Sequence, residues 1–276
     1  MKGYDNPDLL TTPSALSEAR AGSAPPLVLD LRPPEDFANG HIPGAVHLDL
    51  WGVSLIDTDP GPLKAFMWII DHLLNLRGVT SGTPVVVYDD QSGIRAARAF
   101  WFLEFFGHPD ARVLDGGYEA WSRRGLPVTR IATKPAPTEW TGTRDERLLA
   151  GWRDVKDRVG RSDAIVLDTR SDGEYFGTTV RAARGGAIPG AVHLEWTNNL
   201  APDGAFKPVD ELKRMYAHAG VTPDREVVTY CQGGYRAAHS YLALRLIGFP
   251  RVRNYIGSWK EWGDRTDLPI EHPKAP

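Results

Sequence analysis

The chain has 276 residues, 42% hydrophobic and 24% charged, and 32 Lys plus Arg against 35 Asp plus Glu give it a formal net charge of −3. That length suits about two domains, and the charge balance argues against a nucleic-acid binder or a polybasic membrane binder. A single cysteine, Cys231, excludes an intramolecular disulfide and a cysteine-rich zinc site. The start is polar and no window approaches the run of about 20 apolar residues a membrane helix needs, so a cytoplasmic protein is expected.

From the N-terminus, continuous apolar runs at 26–30, 85–88 and 112–114 read as buried strands of a parallel sheet. Between the last two, 94–106 has helical spacing and stops at Gly107. Residues 129–143 carry Pro135, Pro137 and little periodicity, which suits an interdomain connector. The same order then returns, with strands at 164–168, 227–230 and 251–254 and a helix over 236–247 that stops at Gly248. Alternating strand and helix imply an α/β fold. We expect domains at 1–128 and 148–276 joined by a linker at 129–147.

The return is a duplication written in residues. Leu29-Asp30-Leu31-Arg32 recurs as Leu167-Asp168-Thr169-Arg170, and Ile42-Pro43-Gly44-Ala45-Val46-His47-Leu48 recurs as Ile188-Pro189-Gly190-Ala191-Val192-His193-Leu194. Tyr88 aligns with Tyr230, Arg95-Ala96-Ala97 with Arg236-Ala237-Ala238, and Trp121 with Trp262. A repeat this long is a domain rather than a solenoid unit. The second copy gains an Arg- and Gly-rich insertion at 180–186 and is one residue shorter between the aligned Tyr and Arg. There the first copy reads Asp89-Asp90-Gln91-Ser92-Gly93-Ile94-Arg95, and the second reads Cys231-Gln232-Gly233-Gly234-Tyr235-Arg236.

Cys231 follows an apolar strand and precedes a helix, the place where an open α/β sheet binds ligands. Two glycines in Gln232-Gly233-Gly234-Tyr235 let backbone N–H groups converge into an anion-binding nest at a helix N-terminus. Such a setting favours thiolate over thiol. The Arg236 guanidinium is placed to add charge-assisted bonds to loop or substrate. A lone cysteine is commonly a small buried hydrophobe. Here its partner in the other copy is Asp89, and a packing cysteine would be matched by an apolar residue rather than a carboxylate.

These segments, with Gly40-His41 before the first Ile-Pro-Gly-Ala, Gly116-Gly117-Tyr118-Glu119-Ala120-Trp121 and Gly257-Ser258-Trp259-Lys260-Glu261-Trp262, resemble the tandem-domain rhodaneses from about Leu27 to Trp262. The resemblance implies two tandem rhodanese-like α/β domains, each a mainly parallel sheet flanked by helices. The first is expected to be catalytically silent and the second catalytic. It also implies thiosulfate sulfurtransferase activity: Cys231 takes the outer sulfur of thiosulfate as a persulfide, and cyanide or another thiophile, a thiol for instance, removes it. That is nucleophilic catalysis with ping-pong kinetics. The alternatives are a 3-mercaptopyruvate sulfurtransferase and a persulfide carrier to a protein acceptor. Rhodanese-like phosphatases use Cys-x5-Arg, which the Cys-x4-Arg of this chain does not match.

Gln232, Gly233, Gly234, Tyr235, Arg236 and Arg170 are therefore the expected substrate-binding residues, with Asp168 and Trp196 in support. Asp168 and Arg170 have the alternative of a structural turn, since Asp30 and Arg32 repeat them in the first copy. Glu174 stands where several relatives place a substrate-binding Arg, which leaves Arg181 and Arg184 of the insertion as possible replacements. His47 and His193 repeat each other without further ligands at metal spacing, and Gly185-Gly186 leads into no Lys-Ser/Thr end. Neither a metal nor another cofactor is expected.

Overall fold

The computed structural model describes residues 2–274. In the first half the elements run β1 (Leu10–Thr11), α1 (Pro13–Ala21), β2 (Leu27–Asp30), α2 (Pro34–Asn39) and β3 (Val46–His47). They continue with α3 (Pro60–Asn75), β4 (Val85–Tyr88), α4 (Ile94–Phe105), β5 (Ala111–Leu114) and α5 (Gly117–Arg123). The second half repeats the order: β6 (Leu149–Ala150), α6 (Trp152–Lys156), β7 (Ala164–Asp168), α7 (Asp172–Tyr175) and β8 (Val192–His193). It closes with α8 (Val209–His218), β9 (Glu226–Tyr230), α9 (Tyr235–Leu246), β10 (Val252–Tyr255) and α10 (Ser258–Asp264). The strands read from sequence are all present within a residue or two. The two-residue edge strands β1, β3, β6 and β8 carry too few residues for a periodic signal.

Each half holds a five-stranded sheet, ordered β1-β5-β4-β2-β3 and β6-β10-β9-β7-β8, and every pairing is parallel. The registers coincide, Asp30 beside Tyr88 and Asp168 beside Tyr230. In each copy the Asp carboxylate accepts the Tyr hydroxyl and the following Arg, which fastens the two central strands at their carboxyl ends.

The helices α4 and α9 pack against each other across the interface between the halves. Nine of the twelve residues in each are buried, as expected for a helix clasped between its own sheet and a partner. One hydrophobic core consequently runs through both halves, from Leu29 and Val87 through Phe102 to Leu242 and Val227. Smaller clusters around Trp121 and around Trp259 and Trp262 fill the outer sheet faces.

The segment after α5 is irregular and is fastened to the first half. Thr129 and His41 exchange backbone hydrogen bonds, and Asn75 anchors Thr138 and Trp140. The N-terminal residues cross the other way: Lys2 O accepts from Val209 N, and the Tyr4 hydroxyl donates to Lys207 O. Among the described residues no helix is long and apolar enough to cross a membrane.

Candidate active site

Cys231 directly follows β9, at the carboxyl edge of the sheet, and is 1% exposed. The chain turns at Gly234, whose φ of 83° lies in the left-handed region that glycine adopts without strain. A Cβ there would also stand 3.0 Å from the Ile256 carbonyl. The turn aims the Gly234 N–H at Cys231 Sγ, 3.2 Å away, and starts α9 at Tyr235. Three bonds from α10 hold the loop from beneath. Ser258 Oγ accepts from Cys231 N at 3.0 Å, while Trp259 N and Lys260 N donate to the carbonyls of Cys231 and Gln232.

Ser258, the first residue of α10, holds the Cys231 loop and is not among the site residues expected from sequence. It holds φ at 53°, an uncommon value for a side-chain-bearing residue, and its hydroxyl accepts from Gly234 N as well. The available signal was the repeat itself, since Gly257-Ser258 stands where the first copy has Gly116-Gly117.

The first copy shows what its nest is built to hold. Asp89, at the position of Cys231, accepts from Gly93 N at 2.9 Å with one carboxylate oxygen. Its other oxygen accepts from Arg95 N at 3.0 Å and Ala96 N at 3.1 Å. Burial raises this carboxyl to about 6 against the pull of those three donors, so it is an anion at neutral pH. In the second copy the counterparts are Gly234, Arg236 and Ala237. Gly234 N meets the sulfur, while among the described residues no acceptor takes the N–H of Arg236 or Ala237. Two donors thus stand open beside Cys231 where the first copy has a carboxylate oxygen.

Several expected substrate contacts have other partners. The Arg170 guanidinium is 1% exposed: it bonds Asp168 through Nε and the 2.5 Å terminal contact, donates to Gly186 O and stacks on Trp259. Arg32 repeats the arrangement with Asp30, Gly40 O and Tyr118, the geometry that a structural turn shared by both copies would have. Arg236 donates both terminal nitrogens to Glu174, at 2.6 and 2.8 Å. Glu174 is buried and also accepts from Ser171, and although burial opposes ionisation these bonds hold its carboxyl at about 2. The carboxylate noticed in the sequence as an obstacle to anion binding is the partner that fixes Arg236.

Tyr235 turns its side chain away from the nest toward the first half. Its hydroxyl donates to Leu50 O at 2.8 Å and accepts from Gly52 N at 3.1 Å, and its ring lies 5.0 Å from Trp51. These residues belong to the segment joining β3 to α3, which walls the loop from that side and continues to Thr58, bonded to Glu261 of α10. Gly233 faces the same wall, a Cβ there standing 3.9 Å from Ser54 Oγ. Gln232 donates to Arg181 O, and its own Oε1 is buried without a donor. Trp196 packs edge-on against His239, 4.9 Å away. The Arg184 guanidinium gathers the carbonyls of Trp262, Gly263 and Leu268 at the end of α10, a structural task, whereas Arg181 is exposed with Nε 3.9 Å from Glu174.

The rhodanese-like domain family matches residues 12–124 and 152–265, one match for each half. The chain is 34% identical to a protein named thiosulfate sulfurtransferase from Pseudomonas aeruginosa, over 98% of this chain and 100% of that one. It is also 34% identical to a Thermus thermophilus protein named sulfur carrier protein TtuD, over 97% and 98% of the two chains. Among solved structures, EanB in a cysteine-persulfide form with ergothioneine superimposes with a TM-score of 0.85 at 21% identity, over 99% of this chain and 72% of that one. That last likeness concerns the fold. Two family matches, covering most of each half, and relatives aligned nearly end to end establish that this chain belongs to the rhodanese family.

Proposed function

We propose that the protein is a thiosulfate sulfurtransferase working through a persulfide on Cys231, with the second domain catalytic and the first without a nucleophile. The Cys231 thiolate attacks the outer sulfur of thiosulfate. The new S–S bond forms as the bond to the sulfonate sulfur breaks, and its electron pair leaves with sulfite. Cyanide or a thiol then attacks the outer sulfur of the persulfide, and the thiolate returns. No net oxidation or proton is required when the acceptor is anionic.

The observation that carries this reading is the pair of open N–H groups at Arg236 and Ala237. An aspartate reaches Cγ and then an oxygen from Cβ, and a cysteine persulfide reaches one sulfur and then another. By that count the outer persulfide sulfur corresponds to the Asp89 oxygen bonded by Arg95 N and Ala96 N. Such preorganised donors favour the anion before and after transfer. A nucleophile that must remain a free thiol fits the reducing cytoplasm. The test is thiocyanate formation from thiosulfate and cyanide, with kcat/KM compared against 3-mercaptopyruvate. Thiosulfate is the expected better donor, and Cys231→Ser is expected to abolish the reaction while the fold persists. Turnover by the serine variant would end the assignment.

Delivery of the persulfide sulfur to a protein acceptor is the second reading. It is supported by the sulfur-carrier relative and by Trp51 and Ile56, which are exposed on the segment that walls the loop. It predicts faster transfer to a protein thiol than to cyanide.

A further inference from the structure

Arg98 lies on α4 of the first half, among Ala97, Ala99 and Phe100, and is 2% exposed. A buried guanidinium ordinarily has a carboxylate beside it, because a desolvated unpaired charge is costly. Arg98 has none among the described residues. It donates to two backbone carbonyls, Leu50 O at 3.2 Å and Val53 O at 2.6 Å, and its face lies 3.9 Å from the Tyr235 ring. Leu50 O also accepts the Tyr235 hydroxyl, so one carbonyl joins this arginine to the Cys231–Arg236 loop of the other half.

The repeat supplies an internal control. Arg95 aligns with Arg236, so Arg98 aligns with His239, each three residues further along its helix. His239 reaches across the interface in the opposite sense, its Nε2–H donating to Ser92 O in the Asp89 loop at 2.8 Å, while Nδ1 faces the Asn199 amide. Burial lowers His239 to about 4, which keeps it neutral. The loop that carries its own carboxylate thus receives a neutral ring from the other half, and the loop that carries a thiol receives a cation. Burial lowers Arg98 too, to about 10, and it remains charged at neutral pH.

We propose that Arg98 is a positioning residue for sulfur transfer, a fixed counter-charge supplied by the first domain to the thiolate and persulfide of the second. Arg236, the cation carried by the Cys231 loop itself, is already neutralised by Glu174. Arg98 is therefore the unmatched positive charge of the loop, and the thiolate is the anion that matches it. The first domain lacks a nucleophile but completes the active site. This inference rests on Cys231 being the nucleophile, and the test separates the two claims.

The rate of Cys231 alkylation by iodoacetamide is measured against pH in the wild type, Arg98→Met and Arg98→Lys, alongside kcat/KM for thiosulfate. Loss of the charge is expected to move the midpoint of the Arg98→Met profile up by about one pH unit and to lower kcat/KM at neutral pH about tenfold. Arg98→Lys is expected to stay close to the wild type in both. Should Arg98→Met fail to fold, Arg98→Gln takes its place with the same expectation. An unmoved alkylation profile in a folded, uncharged variant overturns the proposal. Failure of the nucleophile assignment would look different, with Cys231→Ser still turning over.

Discussion

The two loops that follow the fourth strand of each repeat share their N–H donors and differ in what those donors hold. In the first, the Gly93, Arg95 and Ala96 amides close on the Asp89 carboxylate, so the site is filled by its own chain. In the second, Gly234 N meets the Cys231 sulfur and the Arg236 and Ala237 amides are left for something else. The duplication thus contains its own ligand experiment: a built-in anion in one copy identifies the charge and reach of the group the other copy is prepared to receive. A nest with its occupant supplied is a structural element, and a nest with a nucleophile at its floor is a reactive one.

Converting one loop into the other gives the strongest test. Cys231→Asp should fill the second nest as Asp89 fills the first, leaving a folded protein whose thiocyanate production falls on the order of a thousandfold or more. Measurable turnover in that variant would show that the sulfur is not the reacting group.

A pH titration of stability probes the cross-interface partners. His239 is held neutral well below the ordinary imidazole value, so on acidification the unfolded chain takes up the proton first. Its contribution is present above about pH 6.5 and is lost as the pH falls toward 4, amounting to about 3 kcal/mol in all. Urea unfolding at pH 7 and pH 4.5 should show this loss in the wild type and a smaller one in His239→Gln. Equal losses would mean the imidazole stays solvated.

Removing the first loop's occupant should cost stability rather than chemistry. Asp89→Ala leaves three buried N–H groups without acceptors and is expected to destabilise the protein by about 2–3 kcal/mol. Cys231→Ala strands no donor, because Gly234 N keeps Ser258 Oγ as acceptor, and should stay within about 1 kcal/mol of the wild type. Similar values for the two variants would remove the distinction between a filled and an open nest. The mildest change is Glu174→Gln, which releases the charge of Arg236. The KM for thiosulfate should fall about fivefold, equivalent to roughly 1 kcal/mol. A raised KM would mean that the ion pair's role is to hold the loop's shape.

How far the residues alone disclosed this arrangement depends on the distance over which each feature is encoded. Cys231 at a strand end, Gly234 at a left-handed turn and the helix behind them are local, and all could be read from consecutive residues. So could the three inner strands of each sheet, because buried parallel strands are continuous apolar runs. The partners of the charged side chains are encoded across long separations. Arg236 and Glu174 meet only because α7 lies beside α9, and Arg170 is drawn into its turn by Asp168 and Trp259. Tyr235 reads as a loop residue beside the thiol until the other half is placed against it. Arg98 is the furthest case: an arginine in an apolar helix with no acidic residue one turn away was a visible anomaly, and only the packing of α4 on α9 says which loop it faces.

The central claim is that the open amides receive a sulfur carried by Cys231, and a diffraction structure of the thiosulfate-treated protein examines it directly. The account predicts one additional sulfur bonded to Cys231 Sγ and within hydrogen-bond reach of Arg236 N and Ala237 N, as the Asp89 oxygen is of Arg95 N and Ala96 N. A thiol left unchanged by thiosulfate, or an added sulfur turned away from both amides, would contradict it.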